Sequence, residues 1–206
     1  MRKKEKISEK TITRFPLYLQ ILKDLQQKGT QTISSQLIAH QALVKASQFR
    51  KDLSYFGEFG KPGSGYSVEH LIERIVNILS LSCRHQAVLV GAGNLGMALY
   101  NFPGFKEWNF EITRIFDNAP AKIGKKTGKI TIENIDKLPL DLKIPLGIIA
   151  VPALAAQTIA DLLVQSKIKG ILNFSGVKLS TPPAIMVRNV DLTYELAILN
   201  YYCCID

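Results

Sequence analysis

A glycine-rich hexapeptide, Gly91-Ala92-Gly93-Asn94-Leu95-Gly96, follows directly on the apolar run Ala87–Val90, and an acidic residue, Asp117, stands 24 positions after Gly93. Residues of these types in this order can hold a dinucleotide. Gly91 permits a sharp turn, Gly93 lets the backbone approach a pyrophosphate, and Gly96 lets the following helix pack against its sheet. The phosphate charge then meets the free N–H groups and positive end of that helix. Ala92, Asn94 and Leu95 complete the loop. Asp117 would accept hydrogen bonds from an adenosine ribose, and its charge would repel a 2′-phosphate, which favours NAD(H) over NADP(H).

Catalysis on such a cofactor needs more. Hydride transfer to or from a carbonyl calls for a positioned acid or base. The three histidines, His40, His70 and His85, all precede the glycine loop, and no tyrosine is followed by lysine four residues on. About 115 residues follow Gly91, little beyond what a dinucleotide-binding sheet and its helices require. The pattern predicts a chain that holds the dinucleotide and is not an enzyme. His and Cys show no metal-ligand spacing, so no metal is expected.

A second cluster lies upstream, where the basic stretch Ser47–Tyr55 runs into Gly57–Tyr66, a decapeptide with four glycines and Pro62. A basic helix followed by a glycine-rich turn structure suits DNA. Near the start of a recognition helix, Ser47 and Gln48 have the groups to reach base edges, with Gln48 matched to adenine and Arg50 to guanine. Lys45, Lys51 and Ser54 are placed for phosphates. Tyr55 is either a hydroxyl contact or core. Lys61, at the turn of the wing, could enter a minor groove, with Gly63 and Gly65 shaping that wing. Arg2, Lys3, Lys4 and Lys6 read as a solvated tail.

Positioning these groups falls to the elements around them. Phe15, Leu19, Leu22 and Leu25 share one helical face, with Pro16 in the first turn. A short helix after Ser34 and Ser35, a third over Ala46–Tyr55 and a fourth from Val68 to about Leu81 surround the glycine-rich segment, the order of a winged helix-turn-helix. From residue 85 the period changes. Ala87–Val90 and Leu146–Val151 read as buried strands, Glu111–Phe116 and Gly170–Phe174 as further strands, and Met97–Phe102 and Ala153–Gln165 as helices, an alternation that predicts βαβ units and a parallel sheet. Thr193–Cys204 carries Leu196, Leu199 and Tyr202 at helical spacing. The fold class is thus a Rossmann-type α/β domain preceded by a mostly helical winged helix-turn-helix. The boundaries fall at residues 1–82, 83–190 and 191–206.

Composition limits the rest. The 206 residues carry a formal charge of +9, and basic residues outnumber acidic ones by 12 to 5 in residues 1–61. Such an excess suits a polyanion. The start, MRKKEKISEK, has no apolar run behind its charges, which reads against a secretory signal. Ile144–Ala160 is broken by two prolines and short for a membrane span. Cys83, Cys203 and Cys204 make an odd set, read as reduced, inert thiols in a cytoplasmic protein.

FRKDLSYFGEFGKPGSGY (residues 49–66), GAGNLG, and FDNAPAKIG (residues 116–124) together resemble the Rex family of redox-sensing transcriptional repressors. ITRFPLYL, Val151-Pro152, ILNF and VDLTYEL extend the resemblance in order along nearly the whole chain. It implies an NAD(H)-binding homodimer that holds a palindromic double-stranded operator and releases it when NADH replaces NAD⁺, with the C-terminal helix exchanged between subunits. It adds Asn118, Lys122, Ile123 and Gly124 to the cofactor site. Val151, Pro152, Asn173 and Phe174, at strand ends, are expected near the nicotinamide. The resemblance also implies a switch joining a tyrosine to Arg14 and Asp191. Phe102 stands where that tyrosine usually is, so either Tyr100 substitutes or the switch is wired differently. The glycine often found before the recognition helix is missing from HQALVKAS. Three other readings stay open: a small NAD-dependent oxidoreductase, a CoA-type nucleotide module and a constitutive DNA-binding protein.

Overall fold

The computed structural model describes residues 7–57, 59 and 65–204. Lys61, Gly63 and the basic run from Arg2 to Lys6 lie outside these. The chain divides into two compact units, Met1–Cys83 and Arg84–Asp206.

In the first unit, α1 (Glu9–Ile12) leads into α2 (Phe15–Gln27), which opens on Pro16 and buries Phe15, Tyr18, Leu19 and Leu22. Strand β1 (Thr32–Ile33) precedes α3 (Ser35–Gln41), whose first turn is closed by the Ser34 hydroxyl accepting from the Leu37 amide. Four residues on, α4 (Ala46–Ser54) completes a helix-turn-helix. Strand β2 (Tyr66–Ser67) pairs antiparallel with β1, and α5 (Val68–Ile78) follows, capped by Ser67. Edge-to-face ring contacts run from Phe15 to Tyr18, from Tyr18 to Phe49 and from Phe49 to Tyr66, pinning α4 between α2 and β2.

The second unit is built on a seven-stranded sheet. Its elements are β3 (His85–Val90), α6 (Asn94–Tyr100), α7 (Pro103–Glu107), β4 (Phe110–Asp117), β5 (Lys126–Thr127), β6 (Ile130–Asn134), β7 (Leu146–Ile149), α8 (Ala153–Gln165), β8 (Gly170–Asn173), β9 (Met186–Asn189) and α9 (Leu192–Cys203). The order across the sheet is β5-β6-β4-β3-β7-β8-β9, and only β5 runs antiparallel to its neighbour. Numbered along the chain, its six parallel strands lie 3-2-1-4-5-6, the doubly wound dinucleotide-binding order.

Alternation along β3 serves both faces. Val88 and Val90 pack with Ile149, Ile171 and the α8 residues Ala156, Ala160 and Leu163, while Ala87 and Leu89 pack with Ile115, Ile148 and the α6 residues Met97 and Leu99. The order reverses between β3 and β7, so a crevice is expected at their carboxyl ends.

Several elements depart from the sequence reading. α6 begins at Asn94 rather than Met97, because the glycine loop turns straight into the helix. Strands β1, β5, β6 and β9 and helices α1 and α7 were not foreseen. All three cysteines are exposed and none forms a disulfide, so burial does not protect them. Among the described residues no helix is long and apolar enough to cross a membrane.

Candidate functional site

The glycine loop sits at the carboxyl end of β3, at that reversal. Its three glycines have separate reasons. Gly91 adopts φ +103°, and a Cβ there would strike the Ala150 carbonyl. A Cβ on Gly96 would fall on the Gly91 carbonyl oxygen, so only glycine lets α6 approach the turn. Gly93 differs: its backbone is ordinary extended chain, and nothing lies within 4 Å of where a Cβ would be. The protein itself does not demand glycine at 93. Open space before the first amides of α6 is what a diphosphate would need, so the residues present fit a dinucleotide.

Asp117 ends β4, 6% exposed. Its Oδ2 accepts from the Ala92 amide at 2.7 Å and the Lys122 ammonium at 2.9 Å, and its Oδ1 from the Ala119 amide at 2.8 Å. Burial alone would raise its pKa. The Ala119 amide, Lys122 and the Ala92 amide outweigh that and hold the carboxyl below its ordinary value. Asp117, at the carboxyl end of β4, therefore shapes the glycine loop, a role the sequence reading did not include. Oδ1, with a single donor, keeps the acceptor capacity that a ribose hydroxyl would use. Asn118 is exposed; Lys122 and Ile123 are half-buried; Gly124, at φ +84°, turns the chain toward β5.

At the nicotinamide end, Val151 is half-buried and Pro152 exposed where β7 passes into α8. Asn173 is buried and already committed: its amide donates to the Val177 carbonyl and to Asn189, and its carbonyl oxygen accepts from Ser175. It holds the loop after β8, and Phe174 packs against the core that Ala87, Leu89 and Ile148 form on the α6 side of the sheet.

On α4, Lys45 is the N-cap residue, and Ser47, Arg50, Lys51, Ser54 and Tyr55 are exposed, which removes Tyr55 from the core. The Arg50 guanidinium donates to the Ser35 hydroxyl at 2.9 Å, and Ser54 to the Lys51 carbonyl. Gly65, at φ +75°, immediately precedes β2, the strand that pairs with β1.

The expected switch residues have other partners. Arg14 makes a two-pronged ion pair with Asp52, both contacts 2.6 Å. Tyr100 donates to the Thr127 carbonyl at 3.1 Å, which ties it to the β5–β6 hairpin. Phe102 is 53% exposed and rests edge-on against Phe105. Asp191 caps α9 through Thr193. Sequence reasoning missed Asp52 and Tyr18. The available signal was an acid between Phe49 and Leu53, an inward position on α4 that demands a buried partner.

A doubly wound nucleotide fold in one chain with a basic helix-turn-helix defines a ligand-responsive DNA-binding regulator. Residues 6–54 match a family model described as "Putative DNA-binding protein N-terminus", and residues 84–177 match the "CoA binding domain" model. The redox-sensing transcriptional repressor Rex of Carboxydothermus hydrogenoformans is 46% identical over 95% of this chain and 96% of its own. That of Brevibacillus brevis is 43% identical over 98% and 99%. The crystal structure of RSP in complex with beta-NAD⁺ and operator DNA superposes with a TM-score of 0.90 at 34% identity, covering 97% of this chain and 93% of that one. RSP in complex with beta-NADH gives 0.87 at 32% identity, covering 97% and 95%. The chain belongs to the Rex family of redox-sensing transcriptional repressors, a family of regulators rather than enzymes.

Proposed function

We propose that this chain represses transcription as a homodimer on a palindromic operator and leaves the DNA when NADH replaces NAD⁺. One juxtaposition carries the reading. Gly93 faces open space at the start of α6 although nothing in the protein requires glycine there, and the same chain presents an exposed basic α4. In this reading the α6 amides receive the pyrophosphate, Asp117 takes a ribose hydroxyl, and Val151 and Pro152 lie by the nicotinamide. The bound nicotinamide supplies the signal, one positive charge more when oxidised. Ser47, Gln48 and Arg50 read bases while Lys45 and Lys51 meet phosphates. Acting on an operator places the protein in the cytoplasm.

Moving a dimer from 1:99 to 99:1 requires a preference of about 10⁴-fold, roughly 5.5 kcal/mol, which two sites can share. Gel-shift titration at fixed total dinucleotide tests the reading. Operator affinity should fall steadily as NADH displaces NAD⁺, and equal affinity across all ratios would leave only a constitutive binder. The CoA reading, kept alive by the family model over residues 84–177, predicts that CoA rather than NADH raises the melting temperature.

A further inference from the structure

The charged side chain on α4 with no outward role is Asp52. It is 0% exposed, yet its carboxylate is saturated. Oδ1 accepts from the Arg14 guanidinium and from the Gln48 side-chain amide at 2.8 Å; Oδ2 accepts from the Arg14 Nε and from the Tyr18 hydroxyl at 2.9 Å. Two donors on each oxygen use the acceptor capacity of a carboxylate in full. Arg14 is the N-cap residue of α2 and Tyr18 lies within that helix, whereas Gln48 lies one turn before Asp52 on α4 itself.

An ionised carboxylate can only accept. The end of Gln48 that meets it must therefore be the NH₂ group. A free glutamine presents either end of its amide and so suits several bases. One tied in this way has a fixed orientation: the carbonyl oxygen and the second N–H remain for an outside partner, the donor–acceptor pair that matches adenine N6 and N7. Gln48 is half-buried between this network and the exposed Ser47, Arg50 and Lys51.

We infer that Asp52 is a specificity-determining positioning residue: with Arg14 and Tyr18 it fixes the amide of Gln48 and so sets which base this helix prefers. The inference rests on the DNA-reading function proposed above. Asp52 touches no DNA in this scheme and acts only through Gln48. Burial would raise the pKa of Asp52, but hydrogen bonds from Arg14, Gln48 and Tyr18 hold it below the ordinary value, so the acceptor-only state persists at neutral pH.

The full-length protein is used to select its preferred site from a random duplex library, and every single-base variant of one half-site is then assayed against wild type, Gln48→Ala, Asp52→Asn and the double variant. Asp52→Asn is isosteric but replaces one acceptor oxygen with a donor, so this side chain no longer dictates which end of the Gln48 amide meets it. Expected is a loss of discrimination, roughly tenfold, at the same base pair or pairs in Gln48→Ala and Asp52→Asn. The double variant should equal Gln48→Ala alone, and weak binding to unrelated duplex should be retained.

A uniform weakening on all variants in Asp52→Asn, or an unchanged profile in Gln48→Ala, overturns the inference. If Asp52→Asn does not melt cooperatively, the wild type still decides. The side-chain NH₂ resonances of Gln48, assigned by their absence from Gln48→Ala, should include one proton shifted downfield, and a pair at free-glutamine positions refutes the tie. A wild type that selects no sequence at all would instead overturn both this inference and the function beneath it.

Discussion

Two glycines three residues apart make the residue-scale argument testable. Gly93→Ala adds a methyl that meets nothing in the protein, so the melting temperature of the unliganded chain should not change. If a diphosphate occupies that space, NADH affinity should drop roughly tenfold or more, in line with the 1–3 kcal/mol typical of overpacking. Gly96→Ala should do the reverse and destabilise the second unit even without ligand, because its Cβ falls on the Gly91 carbonyl. Calorimetric melts and NADH titrations of both variants separate the cases, and an unaltered NADH affinity in Gly93→Ala would remove the diphosphate from that position. Asp52 gives a pH dependence with a definite sign. Its folded pKa lies below the ordinary 3.8, so the folded unit binds fewer protons than the unfolded chain in that range. The stabilisation is complete above about pH 4 and is lost as pH falls through the folded value. Acid melts of the wild type should show the first unit weakening below about pH 4, and Asp52→Asn, already destabilised, should lack that dependence.

At the scale of elements, the turn between α3 and α4 departs most from expectation. Where a glycine is usual, Leu43 adopts φ +54° and is 92% exposed. A left-handed leucine costs roughly 1–2 kcal/mol, and the extra freedom of an unfolded glycine returns about half of that. Leu43→Gly should thus stabilise the first unit by about 0.5–1 kcal/mol, a rise of about 2–8 °C in its melting temperature. A lower value would mean the leucine makes a contact that offsets its strain. The same scale shows what a sequence exposes to reading. Val88, Val90, Ile148 and Ile149 lie in strands buried on both faces, so unbroken apolar runs betray them. Strands β6 and β9 are short, carry Glu133 and Arg188, and lie next to one edge of the sheet and at the other, leaving no such run. The glycine loop was legible because steric demands at Gly91 and Gly96 are local. The Arg14–Asp52–Tyr18–Gln48 network was not, since it joins residues 38 positions apart and depends on how α2 lies against α4.

For the molecule as a whole, α9 is the element that bears on assembly. Leu192, Tyr194, Leu196, Ile198, Leu199, Tyr201 and Tyr202 are all exposed, and none of its residues is buried. A helix that is apolar on every side belongs in an interior. Within the proposed function the occupant of that interior is a second copy of the chain, which would bring two recognition helices onto two half-sites. Leu196→Asp with Leu199→Asp places two charges in that interface without touching the sheet, whose cores do not include α9. The variant should sediment as a monomer with its second unit still folded. It should keep the wild-type affinity for NADH to the extent that the dinucleotide contacts one subunit, because Gly93 and Asp117 both belong to that unit. Its operator affinity should fall about 10²- to 10⁴-fold, the range lost when two linked binding events become independent, while affinity for an isolated half-site stays as it was. NADH should no longer alter what DNA binding remains, since the signal in this scheme is the spacing of two heads and a monomer has none. A double variant that stays dimeric, or a monomer whose half-site affinity still follows the NADH/NAD⁺ ratio, would move the coupling out of α9 and into each subunit by itself.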